Sequence, residues 1–458
     1  MFEAFQLKMK DAQLPEIAIA NFASHYQQLL QGSRGEIAEH DIEAVGKIPD
    51  ADSLSVKYQD IGQANLNSTV LIKLNGGLGT SMGLDRAKSL IQVRDRLSFL
   101  DIIAKHAIHS DVPLLLMNSV NTRDDSIEAL KHYSSLAKAG LALDFLQHKV
   151  PKVTQSDLSP ASHSTDPQLE WCPPGHGDIY IALQTSGILE SLLNSNYRYA
   201  LISNSDNLGA TLDTSLLGYM IDEKIPFLME VTDRSEADKK GGHLAKRADG
   251  QFVLRESAQC PQEDKLSFED IHKHRFFNTN NLWIDLQALK INLYENNNIV
   301  DLPLIRNSKT LDPRDSQSAA VYQLETAMGA AIQIFSDARA ICVSRRRFAP
   351  VKTTNDLLLL RSDVYELQEN YTLVSQLAHT EMPLIELDST YYKLIDHFEQ
   401  RFPNGSPSLL GCSRLRVQGD VVFGTNVVIK GNVSLCNASS KQASIADNSL
   451  IEKDILWE

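Results

Sequence analysis

The chain has 458 residues, 43% of them hydrophobic and 22% charged, with a formal net charge of −14. That length implies two or three domains with a substantial core, and the acidic balance argues against a broad nucleic-acid surface. No apolar run approaches the ~20 residues that span a bilayer, and the early charges of Met1-Phe-Glu-Ala-Phe-Gln-Leu-Lys do not read as a signal peptide.

Residues 1–45 carry helical spacing, clearest over 17–30, before Gly46-Lys-Ile-Pro-Asp breaks it. From about residue 69 the pattern becomes strand, loop, helix, repeated. The apolar residues 70–74 predict a buried strand, 98–109 a helix capped by Ser98, 112–117 a strand and 126–137 a helix. Residues 178–193 predict one helix, and 199–203 and 226–231 two further strands. Such alternation implies a mainly parallel α/β sheet covered on both faces, with ligands at the carboxyl ends of its strands. Composition shifts after about residue 403. Residues 415–435 space β-branched residues and glycines roughly every six positions, the pattern of a short left-handed β-helix. A β-hairpin is the plainer alternative, and Asn404-Gly-Ser-Pro-Ser marks a hinge. The cysteines at 172, 260, 342, 412 and 436 form no CxxC pair, which fits reduced thiols in a cytoplasm and offers no zinc site.

The first strand empties into Asn75-Gly-Gly-Leu-Gly-Thr-Ser-Met-Gly83, and Lys88 follows. Glycine lets backbone N–H groups approach a phosphate closely, and a lysine adds a mobile point charge. The spacing is neither Walker A nor G-x-G-x-x-G. An ordinary turn has no need of four glycines in eight residues, so a polyanion is expected here. Asp206, in Ser203-Asn-Ser-Asp-Asn at the end of another strand, suits Mg²⁺, although Asp is also a common turn residue.

Further motifs follow. In Trp171-Cys-Pro-Pro-Gly-His-Gly-Asp, two prolines hold the chain extended and two glycines free the backbone around His176, just before a helix. His176 is a ligand-contact candidate there, and Asp178 a plain N-cap. Phe276-Phe-Asn-Thr-Asn-Asn-Leu-Trp crowds three amides and a hydroxyl between aromatic residues, which suits sugar hydroxyls. Glu256 and Glu325 are weaker candidates for the same job. Arg345-Arg-Arg reads as a solvated charge run. Lys352, after Pro350 on a segment read as buried, needs an anionic partner and is taken as a second phosphate ligand.

The motifs LNGGLGTSMG, FLQHKVPK, PPGHGD, SNSDN, KGGHLA, FNTNNLW, QLETAMGAAI and RFAPVKTTNDLLLLRSDVY, in that order, resemble the eukaryotic-type UTP–glucose-1-phosphate uridylyltransferases, or UDP-glucose pyrophosphorylases. The likeness covers about residues 68–435. It implies a Rossmann-like nucleotidyltransferase core over 66–382 and a C-terminal left-handed β-helix over 383–458, which leaves the helical spacing ahead of them as an N-terminal helical segment over 1–65. It implies transfer of a uridylyl group from UTP to glucose 1-phosphate with Mg²⁺ as cofactor. By the resemblance, Leu74, Asn75, Gly76 and Gly77 would hold uridine and phosphates, the two glycines also touching the sugar substrate. Gln147 and Gly175 would read the uracil edge. Asn204, Ser205 and Asp206 would line the nucleotide, with Asp206 on Mg²⁺. His176, Asn278, Thr279 and Asn280 would hold the glucose phosphate. Lys88 and Lys352 would be catalytic, stabilising the phosphates from opposite sides. The implied partners are these small molecules, with neither nucleic acid nor membrane, and a homo-oligomer could form through the β-helix. The implied location is the cytoplasm.

Ser81 and Met82 vary among relatives, and the first 65 residues match poorly. Three other readings compete. UDP-N-acetylhexosamine or broad UDP-sugar pyrophosphorylases usually carry Arg after the loop threonine, where Ser81 follows Thr80 here. A metal-dependent glycosyltransferase would show Asp-x-Asp, and Asn204-Ser-Asp206 has one carboxylate. A catalytically silent scaffold would tolerate loss of Lys88 or Asp206, and both are present.

Overall fold

Ten strands build the central sheet of the computed structural model, which describes residues 2–138, 140–377 and 382–458. In chain order they are β1 (Glu43–Ala44), β2 (Thr69–Asn75), β3 (Leu114–Asn118), β4 (Asp144–Leu146), β5 (Tyr199–Asn204), β6 (Phe227–Asp233), β7 (His243–Lys246), β8 (Phe252–Arg255), β9 (Phe276–Asp285) and β10 (Arg339–Cys342). The main path runs β1-β7-β9-β5-β2-β3-β4, with β8 on β7, β6 on β9 and β10 on β6. Strands β5, β2, β3 and β4 are parallel, as the alternating pattern predicts. The rest departs from a mainly parallel sheet: β9 runs antiparallel to β5, β6 and β7. Between β6 and β9 the chain folds the antiparallel pair β7–β8 instead of a long crossover helix, so it enters β9 from the opposite end. The sheet is mixed.

The central strands carry the core. Val70, Leu71, Ile72, Ala200, Leu201 and Ile202 are fully buried, which explains their unbroken apolar runs. Ser98 caps the helix Phe99–His109 through a reciprocal bond with Asp101, as expected. Two helices differ from expectation. The one placed at 126–137 spans Val120–Leu130, because the Ser119 N–H donates to Thr122 Oγ1 and starts the helix earlier. The one placed at 178–193 divides into Ile179–Thr185 and Ile188–Asn194, with Gly187 at φ +74° between them.

The N-terminal residues pack into the same body. Phe22 and Tyr26 of helix Glu16–Leu30 bury against Val150, Cys172 and Leu304, while Ala18, Val45 and Ile48 join the cluster around Val70.

The C-terminal part contains β11 (Leu384–Leu387), β12 (Ser408–Gln418), β13 (Val421–Phe423), β14 (Val428–Asn437), β15 (Ala443–Ile445), β16 (Leu450–Ile451) and β17 (Ile455–Trp457). Every pairing among them is parallel, which excludes the β-hairpin. Leu415 pairs with Val433 and Val428 with Leu450, offsets of 18 and 22 residues, so successive strands stack in register. Leu409, Leu415, Val433 and Leu435 are fully buried within. The expected boundary at 382/383 follows directly on residues 378–381, which lie outside the described residues.

Candidate active site

Strands β2 and β5 are parallel neighbours with Leu74 opposite Asn204, so the glycine loop and Ser205-Asp206 leave the sheet side by side. The Ser205 N–H donates to the Leu74 carbonyl at 3.1 Å. The loop then returns on itself. Leu78 bridges Ala87, and the Lys88 N–H donates to the Gly77 carbonyl at 3.1 Å. This brings Lys88 Nζ to 2.6 Å from Asp206 Oδ2, and the same ammonium donates to the Val351 carbonyl. The Val351 N–H in turn donates to the Asp206 carbonyl at 3.1 Å. Three segments distant in sequence therefore meet at one cation and one carboxylate. Asn75 is buried, and its amide donates to Asn118 Oδ1 and Ser126 Oγ, both at 2.8 Å. Its side chain is thus spent on holding the start of the loop to the neighbouring strand and helix. No group of three metal-ligating side chains occurs among the described residues. Asp206 alone fits a hard cation whose other ligands are phosphate oxygens and water.

Gln147 stands against the loop. A Cβ on Gly76 would lie 2.5 Å from Gln147 Oε1, so the Gln147 amide packs directly on the loop backbone. The next residue is held from behind: His148 N and Nδ1 contact Asp178 at 2.7 and 2.8 Å, and Nε2 lies 3.0 Å from Thr185 Oγ1. Burial lowers the His148 pKa, but the Asp178 hydrogen bond and charge outweigh it and hold it above the usual value. Asp178 therefore serves His148 and makes no side-chain cap, in place of the simple N-cap expected.

Gly175 has φ +81°, and an added Cβ would overlap the Thr326 carbonyl oxygen. The two chains are laced together there. Thr326 N–H donates to Pro174 O and Gly177 N–H to Thr326 O, each at 2.9 Å. His176 Nδ1 accepts the Met328 N–H at 2.9 Å, which places the ring proton on Nε2. Burial pulls the His176 pKa down to about 4, so the ring is a neutral donor at neutral pH. Replacing Gly175 with alanine is expected to break this lacing and lower kcat/KM by at least about tenfold, about 1.4 kcal/mol, through strain at positive φ. Steady-state kinetics would show it.

Opposite Glu230 and Val231 of β6, strand β9 carries Thr279 and Asn280 as extra residues, a bulge with Asn280 at φ +57°. Thr279 Oγ1 donates to the Glu230 carbonyl at 2.7 Å, while Asn278 Nδ2 donates to Asn280 Oδ1 at 2.9 Å. A Cβ on Gly329 would come within 2.9 Å of Asn278 Nδ2, so the Met328-Gly329 turn joins His176 to Asn278. Gly242 O accepts the Asn278 N–H at 3.2 Å, and a Cβ on Gly242 would stand 2.5 Å from Glu256 Oε2. Burial raises the Glu256 pKa, against the opposing charge of Lys352. Burial likewise raises that of Glu325, on the far side of Gly175.

Lys352 is not buried as expected. Its neighbour Val351 is buried and Lys352 is exposed. Its backbone N–H donates to Asp356 Oδ2 at 2.8 Å at the start of helix Thr354–Arg361. The arginine run is not wholly solvated either. Arg347 pairs with the fully buried Glu230 through two hydrogen bonds of 2.8 and 2.7 Å, and Arg345 pairs with Asp238 at 2.7 Å. Glu230 also accepts from Trp283 Nε1 at 2.8 Å and Asn281 Nδ2 at 3.1 Å. Asn207, next to Asp206, donates to the Arg347 carbonyl and accepts the Ala349 N–H, so the buried pair fixes the segment that leads to Lys352. Lys73, beneath the loop, donates to Ser203 Oγ at 2.7 Å and Ala210 O at 2.9 Å, and burial lowers its pKa to about 7. Residues 230 and 73 were legible as charged residues inside apolar strands, which must find partners.

Burial brings the His106 pKa to about 4 as well. For both His106 and His176 the folded value lies below the unfolded ~6.5. The unfolded chain therefore binds protons that the native state refuses as pH falls from about 6.5 to about 4. Stability is fully present above that window and is expected to fall within it, by up to ~1.4 kcal/mol per pH unit for each histidine. Urea midpoints measured at pH 7.5 and 5 would show the loss.

The chain matches the family model described as UTP–glucose-1-phosphate uridylyltransferase over residues 19–430. It is 40% identical over 422 residues to the UTP–glucose-1-phosphate uridylyltransferase of Saccharomyces cerevisiae, covering 90% of this chain and 83% of that one. To the same-named protein of Pyrus pyrifolia it is 41% identical over 400 residues, 85% and 82% of the two chains. Among solved structures, a point variant of UDP-glucose pyrophosphorylase from Leishmania major, in complex with UDP-Glc, is similar at TM-score 0.93 and 43% identity, covering 99% and 98%. UDP-glucose phosphorylase from Trypanosoma brucei gives 0.91 and 44%, covering 100% and 99%. The chain belongs to the UTP–glucose-1-phosphate uridylyltransferase family.

Proposed function

We propose that this chain transfers a uridylyl group from UTP to glucose 1-phosphate, giving UDP-glucose and pyrophosphate, between the glycine loop and the β9 bulge. The meeting of Lys88 and Asp206 beside the glycine loop carries this reading. A phosphate oxygen of glucose 1-phosphate attacks the α-phosphorus of UTP. The new O–P bond forms as the bond to the bridging oxygen of pyrophosphate breaks on the opposite side. Both reactants are polyanions, so the obstacle is bringing them together, and no protein nucleophile is needed.

Each residue then has a task. The backbone of Leu74, Asn75, Gly76 and Gly77 cradles uridine and phosphates, with Asn204 and Ser205 alongside. Gln147 and the Gly175 backbone read the uracil edge. The neutral His176 donates from Nε2 to the sugar phosphate. Asn278, Thr279, Asn280 and Glu256 take the glucose hydroxyls. Lys88 faces the five-coordinate phosphorus, and exposed Lys352 meets the phosphates from the other side. Asp206 would hold Mg²⁺, which supplies charge neutralisation on the phosphates when bound. Until substrate enters, Lys88 neutralises that carboxylate, and both side chains remain partly accessible for the exchange.

The stacked parallel strands support a C-terminal left-handed β-helix over 383–458, after an N-terminal helical segment over 1–65 and a catalytic domain over 66–382. Exposed Leu384, Leu410, Leu450 and Leu456 on that part suit a homo-oligomer contact. Five free cysteines support a reducing, cytoplasmic setting, and no helix among the described residues is long and apolar enough to cross a membrane. The test is pyrophosphate release from UTP with a panel of sugar 1-phosphates. Glucose 1-phosphate is expected to be fastest, with activity lost in EDTA and restored by Mg²⁺. No release, or a preference for N-acetylglucosamine 1-phosphate, would contradict the reading.

A further inference from the structure

Arg255, the neighbour of Glu256, is fully buried. A buried guanidinium needs paired anions, and it has two. Nη1 donates to Glu39 Oε2 at 2.6 Å and Nη2 to Asp264 Oδ2 at 2.9 Å. Glu39 belongs to the helical turn Glu39–Asp41, which precedes the whole central sheet. Its other oxygen, Oε1, lies 2.8 Å from His274 Nε2 and 2.8 Å from Lys273 Nζ. One carboxylate thus joins the end of β8 to the segment that leads into β9. Burial opposes its ionisation, but the bonds from Lys273, His274 and Arg255 hold its pKa at about 2.

The clamp continues toward the sugar side of the pocket. The His274 ring stacks on His243 with centroids 3.9 Å apart, and His243 is the register partner of Arg255 across β7–β8. His243 directly follows Gly242, whose carbonyl accepts the Asn278 N–H and whose Cα closely faces the Glu256 carboxylate. The backbone around Glu39 is pinned as well. Ile37 N–H donates to Gln259 O at 2.8 Å and Glu39 N–H to Asp264 Oδ2 at 2.7 Å.

We propose that Glu39 is a positioning residue for the hexose: by fixing Arg255 and the His243–His274 stack, it sets Gly242 and Glu256 against Asn278. This rests on assigning Gly242, Glu256 and Asn278 to the sugar side of the pocket. The bonded partners of Glu39 lie on β8 and ahead of β9, away from the glycine loop, Gln147 and Gly175, so the nucleotide side should not respond.

Glu39→Gln keeps the size and removes the charge. It is expected to raise KM for glucose 1-phosphate about tenfold, the equivalent of ~1.4 kcal/mol, with KM for UTP changed by less than about twofold. Glu39→Asp, which keeps the charge, is expected to restore part of that affinity. Should Glu39→Gln fail to fold, Lys273→Met carries the test, since that lysine is 45% exposed at its side chain, with a rise of about threefold in the same KM. Equal rises in both KM values, or a lower melting temperature with both KM values unchanged, would overturn the proposal. Glu256→Gln checks the pocket separately. A rise in the glucose 1-phosphate KM alone supports the assignment, and an unchanged value refutes it whatever the Glu39 variants do.

Discussion

Replacing Lys88 with alanine is expected to lower kcat by roughly 10²–10³, the scale for losing one donor aimed at the charge of a transition state. The side chain is 16% exposed and bonds to Asp206 and to the Val351 carbonyl, so it lies on the wall of the site and not in the core. Its loss should leave folding nearly intact, and the melting temperature should confirm that. Without the ammonium, Asp206 loses the lysine charge that offsets it as the triphosphate enters. Negative charge then builds on the five-coordinate phosphorus against one cation fewer. Rapid-quench measurement of single turnovers would assign the loss to the chemical step. A variant with near-normal single-turnover rate would remove Lys88 from that role.

The second large effect concerns stability. Glu230→Ala is expected to destabilise the chain by about 3–5 kcal/mol, because it leaves Arg347 charged and buried without its partner. It also orphans the Trp283 and Asn281 donors that the carboxylate satisfies. Arg347→Ala should cost a similar amount for the mirror-image reason. Replacing the pair together, Glu230→Met with Arg347→Leu, is expected to recover the part of the loss that comes from the unpaired charge, while the Trp283 donor stays orphaned. Urea denaturation of the wild type, Glu230→Met, Arg347→Leu and the Glu230→Met/Arg347→Leu pair makes a double-mutant cycle. A single-variant loss below about 1 kcal/mol would show that water reaches the pair and screens it. Because Asn207 links the Arg347 carbonyl to the 349 backbone beside Asp206, activity should fall with stability in the single variants.

The site was legible where local sequence forces local geometry. Four glycines after an apolar strand could serve little but a close approach, and the loop does lie beside Asp206, one strand away. The double glycine around His176 marked a backbone that a side chain would obstruct, as the Thr326 contact with Gly175 shows. Ser98 announced its helix through a cap, a purely local device. What escaped depends on partners distant in sequence. Arg347 looks like one charge among three until the buried Glu230, more than a hundred residues earlier, draws its guanidinium inward. Lys352 was misplaced because its neighbour Val351 carries the burial. The mixed sheet escaped because strand direction depends on the connection before β9, which lacks a periodic signal. Gly187 was visible in the sequence, yet one glycine is tolerated inside many helices, so it did not announce the break.

A crystal structure with UDP-glucose bound would show where the diphosphate and the hexose sit. The diphosphate is expected along residues 76–88, with an α-phosphate oxygen within about 3 Å of Lys88 Nζ and the hexose against His176 and Asn278. A diphosphate seated away from that loop and from Asp206 would contradict the account.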